Sequence, residues 1–330
     1  MISCNNEINS KWLPVQRKAV FMNSGKNAAV NCPRVYLDYY LKDNRNYDLR
    51  AASVLAGAGV DYILFDSEPD FRGEICRCEV CKKEWQKFCE KNNVAYQSLK
   101  DVWIEKSPDM MKHLDKYWDE MYVSIWKVFD ENMKKAANGK KFQLGFYGMP
   151  HKDPNLAESF RGLFQPLAKE GIITFANPTL YKIPLESYSK TLRKAMTEVP
   201  SDIPTYVWST CGDTTLAFEQ DYEKLLCQLF MLYLNGSKGT VFYSAYGVDA
   251  KDYQMIAEVI RTLVPHEDFI LQAKVIAENE FTVPENVEAG GMKKGKKYLL
   301  YVIDHAGRNN IQKITAKQKI KKLFPFMEQM

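Results

Sequence analysis

The strongest constraint on the fold of this chain is a strict alternation. Short runs rich in Val, Ile, Phe and Tyr recur between long amphipathic stretches, at Lys18–Asn23, Asp61–Ser67, Phe142–Tyr147, Gly171–Ala176, Pro204–Ser209 and Gly239–Ser244. Runs of that length and composition read as buried parallel strands. Between them helical periodicity covers about Val35–Ala58, Val80–Lys91 with Pro108–Ala137, Asn155–Lys169, Leu185–Thr197, Thr215–Asn235 and Ala250–Val264. Strand and helix in turn predict a parallel sheet with crossover helices. The segments leaving the strands (DSEPDFRG, YGMPHKDP, ANPTLYK, STCGD, SAYGVD) are polar, aromatic or Gly-rich, whereas those entering them (AGAGV, AKEG, NGSKG) are plain turns. Function is therefore expected at the C-terminal strand ends, where (β/α) barrels carry their sites.

Six such units can be counted in the 330 residues, and a closed (β/α)8 TIM barrel needs eight. The last unit reads as a closing strand and helix, so the deficit falls at the N-terminal end and the first two βα units are expected to be missing. A barrel in that state is expected to be inactive or to complete itself as a homo-oligomer. A complete open α/β sheet is the alternative. Lys297–Ile303, after a Gly-Gly-Met turn, reads as strand, as do the residues to Ile314. The expected division is a barrel over residues 1–266 and the start of a small β-rich domain over 267–330.

Composition excludes several classes. Hydrophobic residues at 46% and charged residues at 26% are globular values, which rules out a disordered or collagen-like chain. A net charge of +4, with acids and bases interleaved along the helices, argues against a nucleic-acid partner. No apolar run is long enough for a membrane span, and MISCNNEINSKWLP lacks the apolar core of a signal peptide, so the chain as written is expected in the cytoplasm with no membrane partner. No strand is followed by GxGxxG, which disfavours a dinucleotide site. The lysine-rich stretches at Lys293–Lys297 and Lys313–Lys322 read as solvated surface.

Eight cysteines stand at 4, 32, 76, 78, 81, 89, 211 and 227, and only Cys76, Cys78 and Cys81 are clustered. So tight a spacing strains a disulfide but suits a zinc knuckle of thiolates. Cys89, eight residues along a predicted helix and about 12 Å from Cys81, is a poor fourth ligand. Cys32, in the loop after the preceding strand, is the better one. Ordinary reduced thiols are the alternative. Cys211 and Cys227 read as core thiols.

Asp66 and Glu68 end the strand DYILFDSE directly before that knuckle. Residues i and i+2 of a strand share a face with Cα atoms about 6.8 Å apart, so both carboxylates are expected at the barrel mouth. Paired acids raise each other's pKa and can divide into acid and base, which glycoside hydrolysis requires. Other strand ends supply Tyr147, Asn177, Tyr181, Trp208, Tyr243 and Tyr246, where rings stack on sugar faces and amides or phenols bond hydroxyls. His151, beside Tyr147, is more often a structural residue.

NCPRVYLDYY, a helix, then DYILFDSE and CRCEVCKKEWQKF resemble the clan A glycoside hydrolases, most closely the bacterial β-galactosidases of glycoside hydrolase family 42. The likeness covers about residues 30–88 and is topological beyond. It implies a TIM barrel acting on an oligosaccharide or glycoside, a structural zinc on Cys32, Cys76, Cys78 and Cys81, and Glu68 as general acid/base. Two positions depart from it. Ser67 stands where the family has Asn, and the strand ending Tyr206-Val-Trp-Ser-Thr lacks the family's Glu nucleophile, the next acid being Asp213. Three outcomes stay open. Asp66 and Glu68 work together with a Tyr such as Tyr181, as in the chitinase-like families that resemble DxE here; Asp213 supplies the second carboxylate; or the site binds carbohydrate without cleaving it.

Overall fold

A computed structural model describes residues 2–3, 18–20, 27–32, 34, 47–66, 76–148, 164–180, 183–209, 211–213, 218–219, 221–242, 248–306 and 315–316. The chain divides into two compact units, Met1–Ala176 and Asn177–Met330. No helix is long and apolar enough to cross a membrane among the described residues.

A four-stranded sheet has the hydrogen-bonded order Ile2–Ser3, Tyr62–Asp66, Gln143–Gly148, Phe175–Pro178, its last strand running across the boundary at Ala176. Ile2 pairs with Phe65 and Ile63 with Leu144, both in parallel register. One face of the sheet is apolar: the rings of Phe65 and Phe146 pack on Trp126 at 4.8 and 4.2 Å, and Phe65 also meets Phe129 at 5.2 Å. Trp126 and Phe129 belong to the Pro108–Ala137 helix, about 45 Å long. That helix begins with Pro at its first position and ends at Asn138 in the left-handed conformation, φ 48°. Its N-terminal half, through Leu114, Tyr117, Trp118 and Met121, packs instead with Trp85 and Phe88 of Glu79–Lys91 and with Leu99 and Val102 of Leu99–Glu105. One helix thus ties the sheet to a separate aromatic core.

Gly145 makes room for a ring on the other face of the sheet, since a Cβ there would collide with Phe175. Gly145→Ala is expected to cost about 1–3 kcal/mol through overpacking. Thermal melting measures it, and an unchanged midpoint would mean that the Phe175 ring has space to retreat.

The second unit holds the parallel pair Tyr206–Ser209 and Gly239–Phe242, with Gly239 opposite Tyr206 and Val241 opposite Trp208. Thr179 forms a parallel bridge to Trp208. The helices Leu185–Glu198, Tyr222–Leu234 and Ala250–Leu263 contribute Leu192, Leu229 and Val259 to one core with Val207. The Ala250–Leu263 helix starts at a capping box between Asp249 and Asp252. An antiparallel hairpin, Val287–Lys294 with Lys297–Asp304, adds Met292, Leu299 and Tyr301 to that same core.

Several expectations need correction. Lys18–Val20 is no member of the parallel sheet: it pairs antiparallel with Asn27–Asn31, Lys18 opposite Asn31. The intervening Asn23-Ser24-Gly25 is turn chemistry, and an apolar run alone does not distinguish a hairpin strand from a buried parallel one. Ile2–Ser3 takes the place beside Tyr62–Asp66. Gly290-Gly291-Met292 is strand, and the turn lies at Gly295, φ 60°. Gly290 is there because Tyr301, its cross-strand partner, lays its hydroxyl where a Cβ would stand. Leu99–Glu105 is a helix that the periodicity did not mark, capped by Ser98, whose Oγ accepts from the Asp101 backbone N–H at 3.2 Å. Among the described residues the strand pairings form a four-stranded sheet and several two- or three-stranded ones, without a closed eight-stranded ring.

Candidate functional site

The four cysteines singled out in the sequence converge. The Sγ atoms of Cys32, Cys76, Cys78 and Cys81 all lie within 4.8 Å of one another, and every one of these side chains is buried. Cys32 Sγ is 3.3 Å from Cys81 Sγ and 3.5 Å from Cys78 Sγ. Cys32 directly follows the Asn27–Asn31 strand, while Cys78 is the N-cap of Glu79–Lys91 and Cys81 sits in that helix's first turn. The positive end of the helix therefore faces the sulfurs and favours thiolate. Cys89 is buried in the same core but lies outside the quartet.

These separations are too long for disulfides, whose sulfurs stand about 2.05 Å apart. They bracket the edge of a tetrahedron of thiolates about 2.3 Å from a central ion, roughly 3.8 Å. Four thiols buried this close together cannot all ionise without a counter-charge. Hydrogen bonding to neighbouring thiols and burial push Cys32 and Cys81 far above the ordinary thiol range, while hydrogen bonds shared with Cys32, Cys76 and Cys81 hold Cys78 far below it. A dication among the sulfurs would offset their mutual repulsion and favour the thiolate forms. The donor set, all sulfur and closed, fits a structural zinc and leaves no position for a catalytic water. Arg34, 3.5 Å from Glu84, adds an ion pair beside the cluster.

The remaining predicted residues are only partly within view. Asp66 is the last residue of its strand and pairs with Ser3; it stands one register step beyond the Phe65–Phe146 pair, at the level of Tyr147. Tyr147 is buried at 5% exposure and follows Phe146, so strand alternation turns it away from the helix-packed face. Glu68, Ser67, Tyr181, Tyr243, Tyr246 and His151 lie outside the described residues.

Asn177 and Trp208 are both fully buried. Asn177 Nδ2 donates to the Tyr206 carbonyl at 2.8 Å. Val207 and Leu180 enter the helix-packed core, so Trp208 and its bridge partner Thr179 lie on the opposite face, and Asn177, two residues before Thr179, shares it. Asn177 Oδ1 and Thr179 Oγ1 are buried with no hydrogen-bond partner among the described residues. Sequence reasoning missed Thr179; its i+2 spacing from Asn177 was the available signal.

Cys211 is buried, and its thiol is pushed up to about 12 by burial, then by the nearby Asp252 and Asp249 carboxylates. Burial and neighbouring carboxylates of this kind disfavour the thiolate that a nucleophile requires. Burial likewise raises Cys227.

No protein-family profile matches the chain, and no curated protein is similar to it in sequence. Solved structures give remote likenesses. The bee venom hyaluronidase in complex with a hyaluronic acid tetramer is 15% identical at a TM-score of 0.42, covering 75% of this chain and 82% of that one. The monoclinic form of the same enzyme gives 14% and 0.41, over 75% and 83%. The Bacillus megaterium spore cortex-lytic enzyme gives 9% and 0.34, over 64% and 70%. Likeness at that level leaves the functional reading to the residues themselves.

Proposed function

We propose that this chain is a glycoside hydrolase-like (β/α) barrel acting on an oligosaccharide or glycoside, with Glu68 as general acid/base, Asp66 as its neighbouring carboxylate, and a structural zinc on Cys32, Cys76, Cys78 and Cys81. The observation that carries the reading is the convergence of those four sulfurs within 4.8 Å. Cys76 follows Asp66 by only ten positions, so a metal there anchors the far end of the segment that contains Glu68. An anchored loop gives a general acid the fixed geometry that proton transfer to a leaving oxygen needs. Tyr147, Asn177 and Trp208 are proposed to contact the sugar, together with Tyr181, Tyr243 and Tyr246. The β-galactosidase resemblance makes galactosides the first substrates to try.

One observation favours a second reading. The Tyr206–Ser209 strand carries no carboxylate, and Asp213 belongs to a short antiparallel pairing of Gly212–Asp213 with Phe218–Glu219. A barrel lacking a seventh-strand nucleophile binds carbohydrate without the usual two-carboxylate cleavage.

The deciding experiment is turnover of aryl galactosides, fucosides and N-acetylhexosaminides by the folded protein, with zinc measured on the same sample. The enzyme reading expects hydrolysis of at least one. No turnover by zinc-loaded, folded protein that still binds a sugar of the panel supports the binding reading, and neither turnover nor binding ends both.

A further inference from the structure

Two oxygens on one strand face of the second unit are buried with nothing to bond. Asn177 and Thr179 are 0% and 2% exposed, and neither Asn177 Oδ1 nor Thr179 Oγ1 has a hydrogen-bond partner among the described residues. They stand two positions apart, where the Phe175–Pro178 strand runs on into the Thr179–Trp208 bridge, so they share a face. The next residue, Leu180, turns into the helix-packed core, as does Val207 before Trp208. Both oxygens therefore lie on the side away from the helices, the side of Trp208. The Tyr206 ring is on that side too, since its neighbour Val207 faces the helices, and it lies where a Cβ on Gly239 would stand.

A buried polar atom without a partner destabilises the fold, so two on one face call for an occupant. The chemistry that completes them is narrow. Asn177 Nδ2 donates to the Tyr206 carbonyl at 2.8 Å, and because a carbonyl only accepts, the amide has one orientation and Oδ1 is left as an acceptor. Thr179 Oγ1 can accept, and it also has a proton to place. A carboxylate or phosphate, which only accepts, is repelled by Asn177 Oδ1. An N–H group completes Asn177 but gives the threonine proton nowhere to go. A hydroxyl donates to Asn177 and accepts from Thr179, completing both. Cα atoms at i and i+2 of a strand are about 6.8 Å apart, a gap that two hydrogen bonds of about 2.8 Å through one shared oxygen span.

We propose that Asn177 and Thr179 form a hydroxyl-reading subsite, in which Thr179 is a specificity-determining contact and the substrate presents one free, uncharged sugar hydroxyl to the pair. Calling that hydroxyl a sugar's rests on the carbohydrate reading of the chain; the donor–acceptor pattern does not. A substrate lacking the hydroxyl leaves both oxygens unpaired in the complex, which is how a site of this kind rejects a deoxy sugar. An internal water is the competing occupant, because it also donates to one side and accepts from the other. The two differ in what they support: a water that holds the fold together is missed in stability, whereas a substrate hydroxyl is missed in affinity.

The test compares the full chain with its Thr179→Val variant, which keeps the branched shape and removes the hydroxyl. Melting temperature is measured without sugar, and dissociation constants are measured for phenyl galactoside, fucoside and N-acetylhexosaminide and for each monodeoxy analogue of the one that binds. Without sugar the variant is expected to melt at the wild-type temperature or above it, because an unpaired buried hydroxyl has been removed. It is expected to bind the parent glycoside about tenfold or more weakly. One monodeoxy analogue is expected to show the same deficit on the wild type and no further loss on the variant, which identifies the hydroxyl being read. A lower melting temperature with unchanged sugar affinity overturns the proposal in favour of an internal water. Equal further weakening of every analogue by Thr179→Val overturns it as well, since no single hydroxyl is then being read. A wild type that binds sugar no better than Thr179→Val ends this assignment alone, whereas a folded wild type that binds none of the three glycosides ends the carbohydrate reading and the subsite with it.

Discussion

Cys78→Ser is expected to lose zinc and fold stability together: about one zinc per chain in the reduced wild-type protein, little in the variant, and a melting temperature lower by roughly 10 °C. The magnitude follows from what the metal holds. Structural zinc contributes on the order of 10–16 kcal/mol of apparent folding free energy in zinc-finger peptides, comparable with the whole 5–15 kcal/mol stability of an ordinary domain. A residual loss of only about 3–5 kcal/mol already lowers the midpoint by about 10 °C at this size. The quartet lies within the core that contains Trp85, Phe88, Tyr117 and Trp118, so losing an ion there removes the link that ties Cys32 to the Cys76–Cys81 segment inside that core. Cys89→Ser is the control, because Cys89 shares that core without joining the quartet; it is expected to keep its zinc. Wild-type protein purified reduced with zinc in the medium and containing none, or a Cys78→Ser variant as zinc-rich and as stable as wild type, would defeat the metal reading.

The consequence reaches beyond the cysteines through the Pro108–Ala137 helix. Its first half is packed on the quartet's core and its second half on Phe65 and Phe146 of the sheet. Loosening the metal end therefore acts on the strand that carries Asp66, by two routes: along the chain from Cys76 and through that helix.

How much of this could be read from residues alone differs by element. The Pro108–Ala137 helix was legible to both ends because Pro108 and the Asn138-Gly139 stop bracket an uninterrupted apolar period. The strands at Tyr62–Asp66 and Gln143–Gly148 were legible because their central residues, Ile63, Phe65, Leu144 and Phe146, are buried and make each run largely apolar. Lys18–Val20 was misplaced because its partner, Asn27–Asn31, is too polar to register as strand, and pairing is a property of two segments. Gly290 and Gly291 read as a turn because the residue that requires a missing Cβ, Tyr301, lies across the hairpin. The cysteine quartet was legible because three of its members are local and the chemistry of four sulfurs is narrow. Thr179 left only its i+2 spacing from Asn177 as a signal, and its bridge to Trp208 is what shows that its hydroxyl is buried away from the helices.

Glu68→Gln is expected to lower kcat/KM on the responsive aryl glycoside by about 10²–10⁴ while leaving affinity for the sugar intact. The exchange keeps shape and hydrogen-bonding capacity and removes only the transferable proton, so a fall in rate without a fall in affinity marks proton transfer itself. The loss should grow as the leaving phenol becomes a poorer leaving group, because a good one departs with little protonation. If the two carboxylates work as the proposed pair, Asp66→Asn removes a negative charge beside Glu68 and is expected to move the basic limb of the pH–rate profile to lower pH. The sign follows from the pair: a neighbouring anion raises the acid's pKa, so neutralising it lets Glu68 lose its proton sooner as pH rises. Full turnover in Glu68→Gln would move the acid elsewhere. Weakened sugar binding in Glu68→Gln, beside a wild type that never turns over, would instead make the carboxylate a sugar ligand, which is what a barrel with no acid on Tyr206–Ser209 would use it for.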